Sequence, residues 1–159
     1  MILAVISDTH LPRGMRRLPD ACVERLRGAD AILHAGDLFE LAVLRQLQGY
    51  GPPVHAVRGN VDSPELQMLL PATRIVEGRI AMIHDGGSAP GRIHRLRRTF
   101  PDVEAVVFGH SHLPLHEELD GFQIFNPGSP TERRRAPRHT MGMATLTPER
   151  IEFELIPLD

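Results

Sequence analysis

Five short, largely apolar runs in this chain each end in a tight turn that carries a side chain able to bind a metal ion. Ile2–Ile6 leads into Ser-Asp-Thr-His at 7–10, and residues 31–35 lead into Gly36-Asp37. Residues 54–57 precede Gly59-Asn60, residues 79–84 close on His84 before Asp85-Gly86, and residues 104–108 precede Gly-His-Ser-His at 109–112. Runs this short and this apolar fit strands buried on both faces. Between the first three lie helix-like stretches. Residues 19–27 open with Pro19 and Asp20 and space Ala21, Val23 and Leu26 among charges, and residues 38–47 also have helical periodicity. This β-α-β-α-β order predicts parallel strands with right-handed crossovers. Ligands of a parallel sheet bind beyond the carboxyl ends of its strands, so the five turns are expected to meet at one place. Gly36, Gly59, Gly86 and Gly109 would let the backbone turn sharply and approach an ion closely.

The second half changes character. Residues 74–77 and 79–84 pair naturally as a hairpin across Gly78, and residues 90–100 form a candidate arginine-rich helix. After Leu115 the pattern is antiparallel, with strands at 115–119 and 122–125 around Asp120-Gly121, and at 141–147 and 150–156 around Pro148-Glu149. In the last of these, Ile151, Phe153 and Leu155 alternate with Glu152 and Glu154, which predicts one buried and one wet face. The polar loop 130–139, with four arginines, is the stretch expected to be least ordered. Residues 1–159 read as a single domain, long enough to bury a sizeable core.

Composition narrows the function classes. All 18 basic residues are arginine, which we attribute to genome base composition, and the net charge is −2. That balance gives no general pull toward nucleic acid or a membrane surface, and no basic stripe is interleaved with aromatics, so nucleic acid is not the expected partner. The single cysteine, Cys22, excludes an internal disulfide and reads as a small buried hydrophobe. No apolar stretch approaches the roughly 20 residues needed to span a bilayer, and no basic lead precedes the first run. The expectation is a cytoplasmic protein outside the membrane; a homo-oligomer stays open.

Two carboxylates, one amide oxygen and four imidazoles make a mixed hard and borderline donor set. It suits Mn²⁺, Fe²⁺, Zn²⁺ or similar ions rather than Ca²⁺, and the absence of cysteine ligands argues against a structural zinc site.

Asp8-Thr-His10, Gly36-Asp37, Gly59-Asn-Val-Asp62, His84 and Gly109-His-Ser-His112 together resemble the five blocks of the calcineurin-like metallophosphoesterases. The resemblance runs from residue 2 to about 129, including Asn-Pro-Gly-Ser at 126–129, and is nearest the small YfcE-like bacterial and archaeal phosphodiesterases. It implies an α/β four-layer sandwich of two mixed β-sheets flanked by helices. It implies one ion held by Asp8, His10, Asp37 and His112, and a second held by Asp37, Asn60, His84 and His110, with Asp37 bridging. The implied cofactors are two divalent ions, manganese foremost, with nickel, iron, zinc or magnesium also compatible. The implied reaction is hydrolysis of a small phosphodiester: ions about 3.5–4 Å apart share and acidify a water, which attacks phosphorus in line. Asp37, Asn60 and His84 are the catalytic candidates.

One departure matters. Many relatives place a histidine after the Gly-Asn pair, where it can protonate the leaving group; here that position is Val61. General acid catalysis is worth about 10²–10⁴-fold, so diesters with good leaving groups are favoured over phosphomonoesters, the alternative substrate class. A further alternative is a non-catalytic metal-binding scaffold. Asp62 is an added catalytic candidate through Asn60 or a neighbouring histidine, or else a turn residue. Asp85 reads as a surface turn, with a substrate hydroxyl as the competing role. His34 is read equally as core and as support for the metal ligands, and Asn126 and Ser129 as shaping a nearby loop. Arg13 and Arg133 are the candidates for gripping substrate phosphate, from arginine clusters that otherwise read as solvated.

Overall fold

The computed structural model describes residues 1–12 and 16–159. Arg13, one of the two arginines expected at the substrate, lies outside the described residues. Among those described, the first half runs β1 (Ile2–Ile6), α1 (Asp20–Gly28), β2 (Ala31–His34), α2 (Leu41–Gln48), β3 (Val54–Ala56) and α3 (Pro64–Leu69). The second half runs β4 (Thr73–Val76), β5 (Ile80–Ile83), α4 (Arg92–Thr99), β6 (Ala105–Val107), β7 (Leu115–Leu119), β8 (Phe122–Asn126), β9 (Thr140–Leu146) and β10 (Ile151–Pro157).

The strands form two five-stranded mixed sheets, ordered β10-β9-β1-β2-β3 and β4-β5-β6-β8-β7. In the first sheet β1, β2 and β3 are parallel, while β9 and β10 add antiparallel. The second sheet pairs β5, β6 and β8 in parallel, with β4 and β7 antiparallel at its edges. The mixture follows from the connections: helical crossovers feed parallel neighbours, whereas short turns at Gly78 and Asp120-Gly121 leave antiparallel ones.

Successive residues of a strand face opposite sides. Leu3 and Val5 therefore join Leu33, Ile80, Met82, Val107 and Phe125 in a cluster between the sheets. Ala4 and Ile6 face the other way, with Cys22, Leu26, Leu44, Leu47 and Leu66 of α1, α2 and α3. Leu96 of α4 covers Val106 and Ile124 behind the second sheet. The result is the expected four-layer α/β sandwich of two mixed sheets flanked by helices. Each fully buried aliphatic side chain contributes about 1.5–3 kcal/mol.

Several elements differ from their sequence reading. Strands β2, β3, β5 and β6 end before their apolar runs do, because the last residues leave the ladder to form the turns. Helix α2 begins at Leu41 rather than 38, since Asp37 and Phe39 take left-handed conformations in the turn after β2. Helix α3 was not anticipated: Ser63 caps it by accepting from Leu66 N and Pro64 starts it, but six residues are too few to display a helical period. In the edge strand β10, Ile151 and Phe153 pack inward as expected, whereas Leu155 is exposed and burial passes to Ile156 on the helix side.

Candidate metal centre

The parallel strands of both sheets send their carboxyl ends to one rim, and all seven candidate ligands gather there. Asp8, His10 and His112 offer ligand atoms within 4.8 Å of one another, and so do Asp37, His84 and His110. In the first group Asp8 Oδ1 lies 4.0 Å from His10 Nε2 and 3.6 Å from His112 Nε2. In the second, Asn60 Oδ1 lies 2.9 Å from His84 Nε2 and 3.1 Å from His110 Nδ1. Asp37 Oδ2 stands between the groups, 3.4 Å from His10 Nε2 and 3.2 Å from His84 Nε2.

Hydrogen bonds hold these side chains in place. Asp8 N donates to Gly36 O and His10 N to Asp37 O, tying the turns after β1 and β2 together. Asp8 accepts from Ser7 Oγ at 2.7 Å and from His110 N at 3.0 Å, which links the two sheets. Asp37 Oδ1 accepts from Val61 N at 3.0 Å, leaving Oδ2 for the ring nitrogens. The His84 Nδ1–H donates to Ala35 O at 2.7 Å, and His112 Nδ1–H donates to Glu132 O, so each ring turns Nε2 toward the centre. Gly59 and Gly109 are steric necessities, because a Cβ would sit 2.1 Å from Asp37 Oδ1 or 2.0 Å from Ser7 Oγ. The backbone is itself strained: Asp8, His10, Asp37, His110 and His112 all have positive φ, between 47° and 72°. A non-glycine residue held there costs about 1–3 kcal/mol.

A divalent ion suits what is present. His10 Nε2 and His112 Nε2 are buried with no hydrogen-bond partner, an expensive state for an imidazole nitrogen. Ligands about 2.0–2.2 Å from one ion stand roughly 3.0–4.4 Å apart, and the nitrogen–oxygen spacings of 3.2–4.0 Å fall in that range. The charges also call for a cation. Burial raises Asp8 to about 6. Burial acts the same way on Asp37, but the facing His10 and His84 rings hold it well below the ordinary carboxylate range. Burial would depress His84, yet Asp37, Asp8 and the Ala35 carbonyl bring it up to about 9.

The other residues singled out in the sequence can now be placed. Asp62 spends its carboxylate on backbone amides, accepting from Gly59 N at 2.7 Å, Phe39 N at 2.7 Å and Asp37 N at 3.2 Å. It clips the Asp37 and Asn60 turns together, and burial raises its pKa. His34 supports the ligands: fully buried, it accepts from Gly36 N at 3.1 Å and reaches Thr9 Oγ1 at 3.0 Å. Arg133 Nη1 donates to Ala136 O at 2.9 Å within its own loop. Asp85 makes the turn read for it, accepting from Gly87 N at 2.8 Å, with its other oxygen 3.9 Å from His110 Nε2. Asn126 and Ser129 shape the neighbouring loops, through Asn126 Nδ2 to Gly109 O and Ser129 Oγ to Asp8 O. Loop 130–139, expected to be the least ordered, is fastened to the centre: Thr131 Oγ1 donates to Thr9 O at 2.6 Å, and Glu132 contacts two of the histidines. The sequence reading missed Glu132, because an acid beside three arginines looks like solvated charge. Its signal was its place three residues after Ser129.

Among the described residues, no helix is long and apolar enough to cross a membrane. The calcineurin-like phosphoesterase superfamily domain matches residues 1–149. A probable metallophosphoesterase of Methanothermobacter thermautotrophicus is 33% identical, over 98% of this chain and 92% of its own length. The phosphodiesterase YfcE of Escherichia coli K12 is 31% identical over 64% of this chain and 65% of its own. The crystal structure of Chaetomium thermophilum Vps29 superposes with a TM-score of 0.80 at 18% identity, covering 98% of this chain and 96% of that one, a likeness of fold. With the ligand-bearing turns in the expected order on that fold, and with relatives this similar in sequence, the chain belongs to the calcineurin-like phosphoesterase superfamily.

Proposed function

We propose that this protein is a two-ion phosphodiesterase. The carrying observation is Asp37 Oδ2, which faces one histidine of each group at 3.4 and 3.2 Å and so suits a carboxylate shared by two ions. Asp8, His10 and His112 would hold one ion with Asp37; Asn60, His84 and His110 would hold the other with it. Manganese is the ion we favour, given a donor set of carboxylate, amide and imidazole. Two such ions, when bound, would supply charge for the phosphoryl oxygens and lower the pKa of a water toward neutrality.

The chain's own residues do the rest. The Val61 amide fixes Asp37, and the Ala35 and Glu132 carbonyls fix the His84 and His112 rings, so little reorganisation is left for the reaction. His110 is 45% exposed and stands at the mouth, within reach of a substrate oxygen. Beside Asn60 and His84 opens a groove of about 320 Å³ lined by Arg58, Gln67, Ile83 and Asp85, where one ester arm would lie. Arg58 and Asp85 oppose each other in charge, which favours an uncharged arm over a second phosphate. Val61 provides no acid for an alkoxide leaving group, and that also favours diesters over monoesters.

Purified protein reconstituted with Mn²⁺ should hydrolyse bis-p-nitrophenyl phosphate faster than p-nitrophenyl phosphate. A monoester preference would reverse the substrate assignment. Metal-loaded protein inert on both esters would point to the non-catalytic metal-binding scaffold instead.

A further inference from the structure

The two ion groups differ in what stands behind their histidines. In the second, His84 leans on a strand-end carbonyl, Ala35 O. In the first, both rings turn Nδ1 toward the same residue, Glu132. Its backbone carbonyl accepts from His112 Nδ1, and its carboxylate Oε2 lies 3.5 Å from His10 Nδ1 and 4.0 Å from His112 Nδ1. The other carboxylate oxygen accepts from Arg16 Nη2 at 3.5 Å. Ser129 Oγ holds Glu132 in this position, accepting from Glu132 N at 2.8 Å and Thr131 N at 3.2 Å while donating to Asp8 O at 2.8 Å. The side chain is only 19% exposed.

We propose that Glu132 is the positioning residue of the first ion group, orienting His10 and His112 and setting the affinity of that ion alone. A carboxylate behind an imidazole fixes its tautomer with the proton on Nδ1, points the Nε2 lone pair at the ion and makes that nitrogen a better donor. One residue does this for both histidines of the group through two different oxygens, one from its side chain and one from its backbone. In the second group no one residue backs both rings: among the described residues His84 leans on the Ala35 carbonyl alone, and the exposed Asp85 lies 3.9 Å from His110 Nε2, so loss of Glu132 unbalances the pair. Arg16 steadies the carboxylate and restrains it from swinging into the ion position itself. This inference rests on the two-ion reading.

Co²⁺ uptake followed by its visible absorption tests it without reference to turnover. Asn60→Ala weakens the second group so that the first fills ahead of it in the titration, and His112→Ala does the reverse. In the Asn60→Ala protein, adding Glu132→Gln should weaken Co²⁺ binding about 10–100-fold. In the His112→Ala protein the same change should leave affinity within about twofold, which also reports an intact fold. Glu132→Asp, which keeps the charge on a shorter arm, should recover part of the lost affinity, and Glu132→Ala none. Equal weakening of both groups, or no weakening of the first, overturns the proposal. Absence of Co²⁺ binding with Glu132 in place would sink the two-ion reading itself.

Discussion

The two ligand groups share Asp37 but live in different surroundings. Asp8, His10 and His112 are at most 2% exposed and are closed over by the loop that carries Ser129 and Glu132. In the other group His110 is 45% exposed, Asn60 is exposed, and a groove opens beside them. On the proposed two-ion reading, the buried group would keep its ion and the open one would meet substrate. Their difference teaches that a two-ion centre need not be symmetric: burial and backing hydrogen bonds suit one half for retention, accessibility suits the other for exchange with solvent and substrate.

The largest effect should come from the residue the halves share. Asp37→Ala is expected to lower turnover of an activated aryl phosphodiester by at least about 10³-fold and to reduce affinity at both groups, measured by steady-state rates and metal titration. If only one group lost affinity, Asp37 would not be a bridge.

The buried half should dominate acid sensitivity. Burial lowers His34 to about 3 from its ordinary 6.5, so below pH 6.5 the unfolded chain takes up a proton that the folded chain refuses. This contribution is fully present above pH 6.5 and is lost as pH falls toward 3, at roughly 1.4 kcal/mol per pH unit. Asp8, raised to about 6, acts in the opposite sense, stabilising as pH falls from there toward 3.8. Urea unfolding of the wild type and His34→Gln across pH 7 to 4 should therefore give a shallower acid slope for the variant. Parallel slopes would remove His34 from the account.

Smaller effects should follow exposure. In metal-free protein, His112→Ala strands the Glu132 carbonyl and opens a buried gap, which should cost about 1–3 kcal/mol by urea unfolding. His110→Ala, at the exposed mouth, should fall within about 0.5 kcal/mol of wild type in the same measurement, yet still weaken the second ion. Equal stability losses for the two variants would erase the distinction between the halves.

Much of this arrangement was legible in the sequence because the ligands sit at regular strand ends. A buried strand writes itself as an apolar run, and the turn after it writes itself as glycine beside a ligand, so Asp8, Asp37, Asn60, His84 and His110 could be placed on one rim from local signals. Part of what supports them could be placed too, since Asp62 and His34 lie close to ligands in the chain, but the partners of the supporting side chains could not. Glu132 reaches His10 across 122 positions of chain, and Asp62 spends its carboxylate on three backbone amides. Neither interaction leaves a local period or motif. Arginine is equally opaque: Arg133, expected at substrate, closes its own loop, while Arg58, in the groove, lay outside every cluster singled out. Charge type says little about where a long side chain points.

The left-handed backbone at Asp8, His10, Asp37, His110 and His112 has a consequence for lineages as well as for chemistry. At each position glycine would relieve backbone strain, but only at the exposed His110 does that relief cost little buried hydrogen bonding, so there the metal-free fold gains by discarding a residue that defines its chemistry. A descendant retained only for its shape would drift toward glycine or asparagine first at His110 and melt at a higher temperature without metal. Ligand loss in such a branch would therefore begin at the strained turns, while His84, whose φ is ordinary, would persist longest as a relic.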